Sequence, residues 1–214
     1  MMKPNPHLAI LVAAIAALLS SCSNAVREPK YEINGDPRQR YVVSAKINGA
    51  PGAFSVISAS VTYEVGPTKG CMPDAEPFTG VFPTPDTAST KSKVNVVSPS
   101  EYTFDVYLDG MVSKDYFGKG TCTWLVQSAG ITIARSANPD FLGFGASLNE
   151  AELKSGKPVV LYLPRKPYFD PPKRLDSTMY PTSESGLTED VLRSVGRFDP
   201  ANSFTITLTA TAKD

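Results

Sequence analysis

The sequence holds one histidine, His7, three cysteines and one tryptophan. With His7 as the only imidazole, Ser-His-Asp and Cys-His machinery has almost nothing to draw on, because those nucleophiles need an adjacent base. A closed Cys–His zinc site is equally out of reach. Ser147 lies in Gly145-Ala146-Ser147-Leu148-Asn149 and lacks the glycine that a nucleophile elbow places two residues after its serine. No Ser-x-x-Lys and no phosphate-cradling Gly-x-x-x-x-Gly-Lys occurs. Excess charge is lacking too: 21 basic residues balance 21 acidic ones. A balanced chain makes no electrostatic case for nucleic acid and offers no polybasic membrane patch. The longest apolar run, Leu8–Leu19, would rise about 18 Å as a helix, well short of a ~30 Å hydrocarbon core. Asp105, Asp109 and Asp115 could bind Ca²⁺ individually, but their spacing misses the EF-hand loop. The sequence calls for no cofactor, no metal and no catalytic residue, and reads as non-enzymatic.

What is present begins with an address. Lys3 and a polar run to His7 precede the apolar stretch, the layout of a secretory signal with its charged start and short hydrophobic middle. Leu19-Ser20-Ser21-Cys22 follows and resembles the bacterial lipobox: a leucine, two small residues and a cysteine. The resemblance covers the signal region alone. It implies cleavage between Ser21 and Cys22, loss of His7 with residues 1–21, and lipidation of Cys22. Each buried methylene contributes about 0.8 kcal/mol, so the several acyl chains of such lipoproteins anchor durably. Ser23 stands where family members kept in the inner membrane often carry Asp. The resemblance therefore implies an outer-membrane lipoprotein facing the periplasm.

Residues 22–39 read as a lipidated tether: polar, with two prolines and no apolar periodicity. From Ser23 to Gln39 it would reach at most about 55–60 Å. Residues 40–214 are long enough for one domain with a sizeable core. The 19 Pro and 15 Gly favour turns over long helices. Strand-like runs recur at Arg40–Asn48, Ala53–Val65, Lys91–Val97, Glu101–Leu108, Lys119–Val126 with Gly130–Ala134, Val159–Leu163 and Ser203–Ala212. Alternation breaks inside Ala53–Val65, which places a bulge near Ile57. A short helix fits Leu148–Ser155, capped by Ser147 and closed by Gly156. About seven or eight strands with one or two short helices predict an all-β, antiparallel sandwich; a closed barrel is the alternative.

Cys71 and Cys122 remain once Cys22 carries lipid. An even pair in an oxidising compartment predicts a disulfide, with two free buried thiols as the other arrangement. The bridge would close a long loop and contribute about 4 kcal/mol by loop entropy.

Pro164–Pro200 is far longer than an ordinary connection. Its first part combines Arg165, Lys166, Lys173 and Arg174 with Tyr168 and Phe169, a composition that suits a protein interface. Later, Thr188 should cap a helical turn with Leu192 and Val195 as apolar contacts. The excursion reads equally as a binding loop or as a lid over one open end of the sandwich. The functional expectation is a membrane-anchored module that binds a protein partner in the envelope, in one form an immunity or inhibitor lipoprotein against an envelope-targeted toxin. The alternatives are a glycan- or lipid-binding lipoprotein and a subunit of an envelope secretion machine.

Overall fold

The computed structural model describes residues 29–66, 70–75, 80, 84–138, 141–169 and 183–213. Ser21, Cys22, Lys173 and Arg174 lie outside the described residues. Two five-stranded sheets face each other in the expected sandwich, with ten strands rather than seven or eight and three short helices rather than one or two among the described residues. Sheet one runs β4 (Val94–Ser98), β5 (Glu101–Tyr107), β1 (Arg40–Asn48), β10 (Ser203–Lys213) and β8 (Val159–Pro164). Sheet two runs β3 (Thr87–Ser92), β2 (Val56–Gly66), β6 (Thr123–Ala134), β7 (Gly143–Leu148) and β9 (Ser183–Ser185). Every ladder is antiparallel except the short β7–β9 pair, which is parallel.

Period-2 alternation drives the layering. Val43, Ala45 and Ile47 of β1 point inward beside Phe104 and Val106 of β5 and Phe204, Ile206 and Leu208 of β10, all buried. From sheet two, Val61 and Tyr63 of β2 and Ile131 and Ile133 of β6 meet them. Each fully buried side chain of this size contributes roughly 1.5–3 kcal/mol, so the two inner faces hold the fold together.

Several expectations change in detail. Lys91–Val97, expected as one strand, is two: β3 belongs to sheet two and β4 to sheet one, with the chain turning the corner at Lys93. Ser92 Oγ donates to the Asp105 carbonyl at 2.7 Å and ties that corner. The bulge lies between Thr62 and Tyr63, not near Ile57, and the extra residue is on β6. Thr62 faces Ser128 and Tyr63 faces Val126, leaving Gln127 unmatched. Buried parity therefore switches from Trp124 and Val126 to Ala129, Ile131 and Ile133 within one strand. The Val126 amide at the bulge donates to Glu150 Oε2 at 2.8 Å.

Glu150 opens helix α1 (Glu150–Ser155), whose N-cap is Asn149 rather than Ser147. Ser147 is committed to β7, opposite Gly130. Asn149 and Glu152 form a reciprocal capping box, and Gly156 ends the helix in the left-handed conformation. Helix α2 (Lys166–Phe169) is a single turn, and α3 (Glu189–Ser194) follows Thr188. The Thr188 side chain makes no capping hydrogen bond. Leu192 is buried, but Val195 is 56% exposed and so is not the expected apolar contact. Among the described residues, no helix is long and apolar enough to cross a membrane.

The stretch expected as a tether is seated on the body over much of its length. Ile33 bridges Met111. The Asp109 carboxylate accepts the amides of Arg38 and Gln39 at 2.9 and 3.0 Å. The body therefore includes Tyr31–Gln39 and does not begin at Arg40.

Candidate functional site at two opposite poles

Strand direction separates the sandwich into two ends. β1 starts at Arg40 opposite Tyr107, beside Gln39, and finishes at Asn48. β8 enters at Val159 and leaves at Pro164, opposite Ser203. The N-terminal segment thus joins one pole, and the 164–200 excursion departs from the other. A strand of nine residues is about 30 Å long, which sets their separation.

The N-terminal pole is built on Trp124. Its indole N–H donates to the Val112 carbonyl at 3.1 Å. Tyr31 meets the Trp124 ring edge to face at 4.7 Å and Tyr116 at 5.1 Å. Burial, followed by the charge of Asp86 and the neighbouring Tyr116, pushes the Tyr31 phenol up to about 12. Cys71 and Cys122 form the disulfide beside this cluster, with Cα atoms 5.2 Å apart and a sequence separation of 51. Both are buried. The bridge joins the β2–β3 connection to the residue before β6.

The three carboxylates weighed for a cation are engaged elsewhere. Asp105 accepts two bonds from Arg40, at 3.0 and 3.2 Å. Asp109 holds the amides of residues 38 and 39, and Asp115 Oδ1 accepts those of Phe117, Gly118 and Lys119.

The distal pole gathers three loops. They are the β1–β2 connection around Gly52 and Phe54, the β6–β7 connection from Arg135, and the start of the excursion. Of the sequence-predicted residues, Arg165 and Tyr168 are fixed to the body. Arg165 donates its amide to the Asn202 carbonyl and its Nε to the Ser203 carbonyl, both at 2.9 Å. Tyr168 is buried, its hydroxyl donating to the Ala53 carbonyl at 2.8 Å and its ring meeting Phe54 at 5.5 Å. Phe54 in turn lies against Phe144 and Phe204, so Tyr168 plugs the open end of the core. At Gly52 a Cβ would sit 2.3 Å from the Tyr168 hydroxyl, so this approach needs glycine.

Lys166 and Phe169 share the same helical turn. Phe169 packs one edge on Tyr168 at 5.2 Å and leaves 63% of its surface in solvent. Arg135 stands over both Tyr168 and Phe141, with 5.3 and 5.2 Å from guanidinium carbon to ring centre. Arg135 and Phe141 escaped the sequence reading. Nothing in the β6–β7 loop sequence links them to a segment more than twenty residues away. The distal pole therefore presents an Arg–aromatic surface, formed by Phe169, Arg135 and Phe141, on a rigid base.

No protein-family model, curated protein or solved structure matches the chain.

Proposed function

We propose that the protein is an outer-membrane-anchored periplasmic lipoprotein whose distal pole binds a protein partner, without enzymatic chemistry. The observation that carries this reading is the opposition of the two poles. The segment from Tyr31 to Gln39 enters at the Trp124 end, and a lipid on Cys22 would lie on that side. The exposed Phe169 and Arg135 belong to the other.

Seating of residues 31–39 shortens the tether. From Cys22 to Tyr31 the chain spans at most about 30 Å, so the body stays close to the bilayer while its distal pole points away. Aromatic and Arg side chains are the types enriched where interfaces bind most strongly. Among the described residues Phe169 is the one aromatic with a largely exposed ring, which favours a protein contact over the row of aromatic platforms a glycan face would use. An inhibitor that neutralises a toxin arriving in the envelope is the concrete form this geometry suits; a subunit of an envelope machine would use the same pole.

The test combines anchoring and binding. Cys22→Ser should move the protein from the membrane to the soluble fraction; continued membrane fractionation would sink the lipobox reading. A partner recovered with the wild-type chain from envelope extracts should be lost with the triple variant F169A/K173E/R174E at unchanged melting temperature. Equal recovery with that variant would move the binding surface elsewhere.

A further inference from the structure

We infer that the segment bound at the distal pole is an acidic peptide segment of the partner: one carboxylate docks on Arg135 and an apolar side chain beside it packs on Phe169. The inference rests on the distal-pole reading above and adds the chemistry of what that pole takes.

Ion pairing is unequal across the molecule. At the Trp124 pole Arg38 and Arg40 pair with Asp36 and Asp105, and Lys114 and Lys119 pair with Glu32 and Asp74. Arg193 on α3 pairs with Glu189. The other described arginines, Arg135, Arg165 and Arg197, make no ion pair among the described residues. All three stand toward the distal pole. Arg165 is held on Asn202 and Ser203, and Arg197 lines a small pocket with Pro164, Asn202 and Ser203. Glu184 and Asp199 line that pocket too, yet neither pairs with Arg197. Asp199 accepts instead from Asn202, at 2.8 and 3.3 Å.

Arg135 is fixed at both ends. Its backbone is pinned by Ser55, whose amide donates to the Ala134 carbonyl at 3.0 Å and whose hydroxyl donates to the Arg135 carbonyl at 2.7 Å. Its guanidinium stands over the rings of Tyr168 and Phe141, and Nη1 donates to the Tyr168 carbonyl at 3.4 Å. The remaining N–H groups have no acceptor among the described residues. A guanidinium is a planar fork of donors, weakly hydrated, that matches a carboxylate with two parallel charge-assisted bonds. Because the side chain is already held, that match costs little further ordering. Phe169, with its ring 5.2 Å from that of Tyr168, supplies the exposed apolar contact alongside. An acidic glycan also carries carboxylates, but it has no apolar side chain to cover Phe169, which favours a peptide.

The experiment selects a random peptide library, displayed on phage, on the full chain in detergent. Recovered peptides should be enriched in Asp and Glu over the input library, with an apolar residue next to the acid. Arg135→Gln and Phe169→Ala should each weaken their binding by about tenfold or more. Arg135→Lys, which keeps the charge and loses the fork, should fall between wild type and Arg135→Gln. Arg38→Gln, at the other pole, should leave binding unchanged. Binding to the wild-type chain should weaken as salt rises, which reads the charge even where an Arg135 variant folds poorly. Recovered peptides without acidic enrichment that still depend on Phe169 would overturn the inference and leave the distal pole as a binding surface. Acidic peptides indifferent to both Arg135→Gln and Phe169→Ala would overturn the distal-pole reading itself. Displacement of the peptides by alginate at equal carboxylate concentration would assign the site to an acidic glycan instead.

Discussion

At the scale of single residues, Gly52 and Tyr168 decide whether the distal pole is a plug or a mobile loop. Gly52→Ala should destabilise the protein by about 1–3 kcal/mol, because the added methyl overlaps a well-packed ring. Tyr168→Phe, which loses the bond to the Ala53 carbonyl, should cost about 1 kcal/mol. Denaturant midpoints check both. Tyr31 and Tyr63 give a pH signature. Burial is the main cause that holds both phenols at about 12 against an ordinary 10.0. The neutral, protonated form is the one the fold favours. Its stabilisation is present below pH 10 and is lost as pH rises through about 12. Ultraviolet titration should show a late tyrosinate phase that Tyr31→Phe and Tyr63→Phe each reduce; a single phase near 10 would contradict the packing.

The elements divide into those a reader of the sequence sees and those that need the third dimension. Glu101–Leu108 and Ser203–Ala212 are legible because each strand buries one face and wets the other. The β3–β4 corner is not, since a strand that changes sheets at Lys93 keeps its polar, β-prone composition. The β6 bulge left a trace, the parity switch between Val126 and Ala129, but alternation in β2 drew the assignment to Ile57. The docked stretch Tyr31–Gln39 is illegible because it is held partly through its backbone amides on Asp109, which leave no periodic pattern. The excursion illustrates a further limit: Arg and aromatic residues at 165–169 have the composition of an interface, yet Arg165 and Tyr168 serve the core's end. Glu150 links two elements, so Glu150→Ala, which frees the bulge amide of Val126, should cost about 1–3 kcal/mol. Reducing the disulfide, which closes a loop with a separation of 51, should lower stability by about 4 kcal/mol. Urea titrations with and without reductant measure it.

Across the whole molecule, covalent reach and strand direction combine into an orientation. The N-terminal segment enters beside Trp124, the strands carry the structure about 30 Å away, and the Arg–aromatic surface crowns the far end. Under the anchoring proposed above, the disulfide and the aromatic cluster lie where a pull from the N-terminal side would enter the fold. Energy transfer from a donor on the protein, expressed with its own N-terminus, to acceptors in the bilayer tests the proposed anchored arrangement most directly. A donor at Lys119, on the Trp124 pole, should transfer strongly, and one at Phe169 should lie about 30 Å farther from the membrane. Equal transfer from both positions, or stronger transfer from Phe169, would contradict the account.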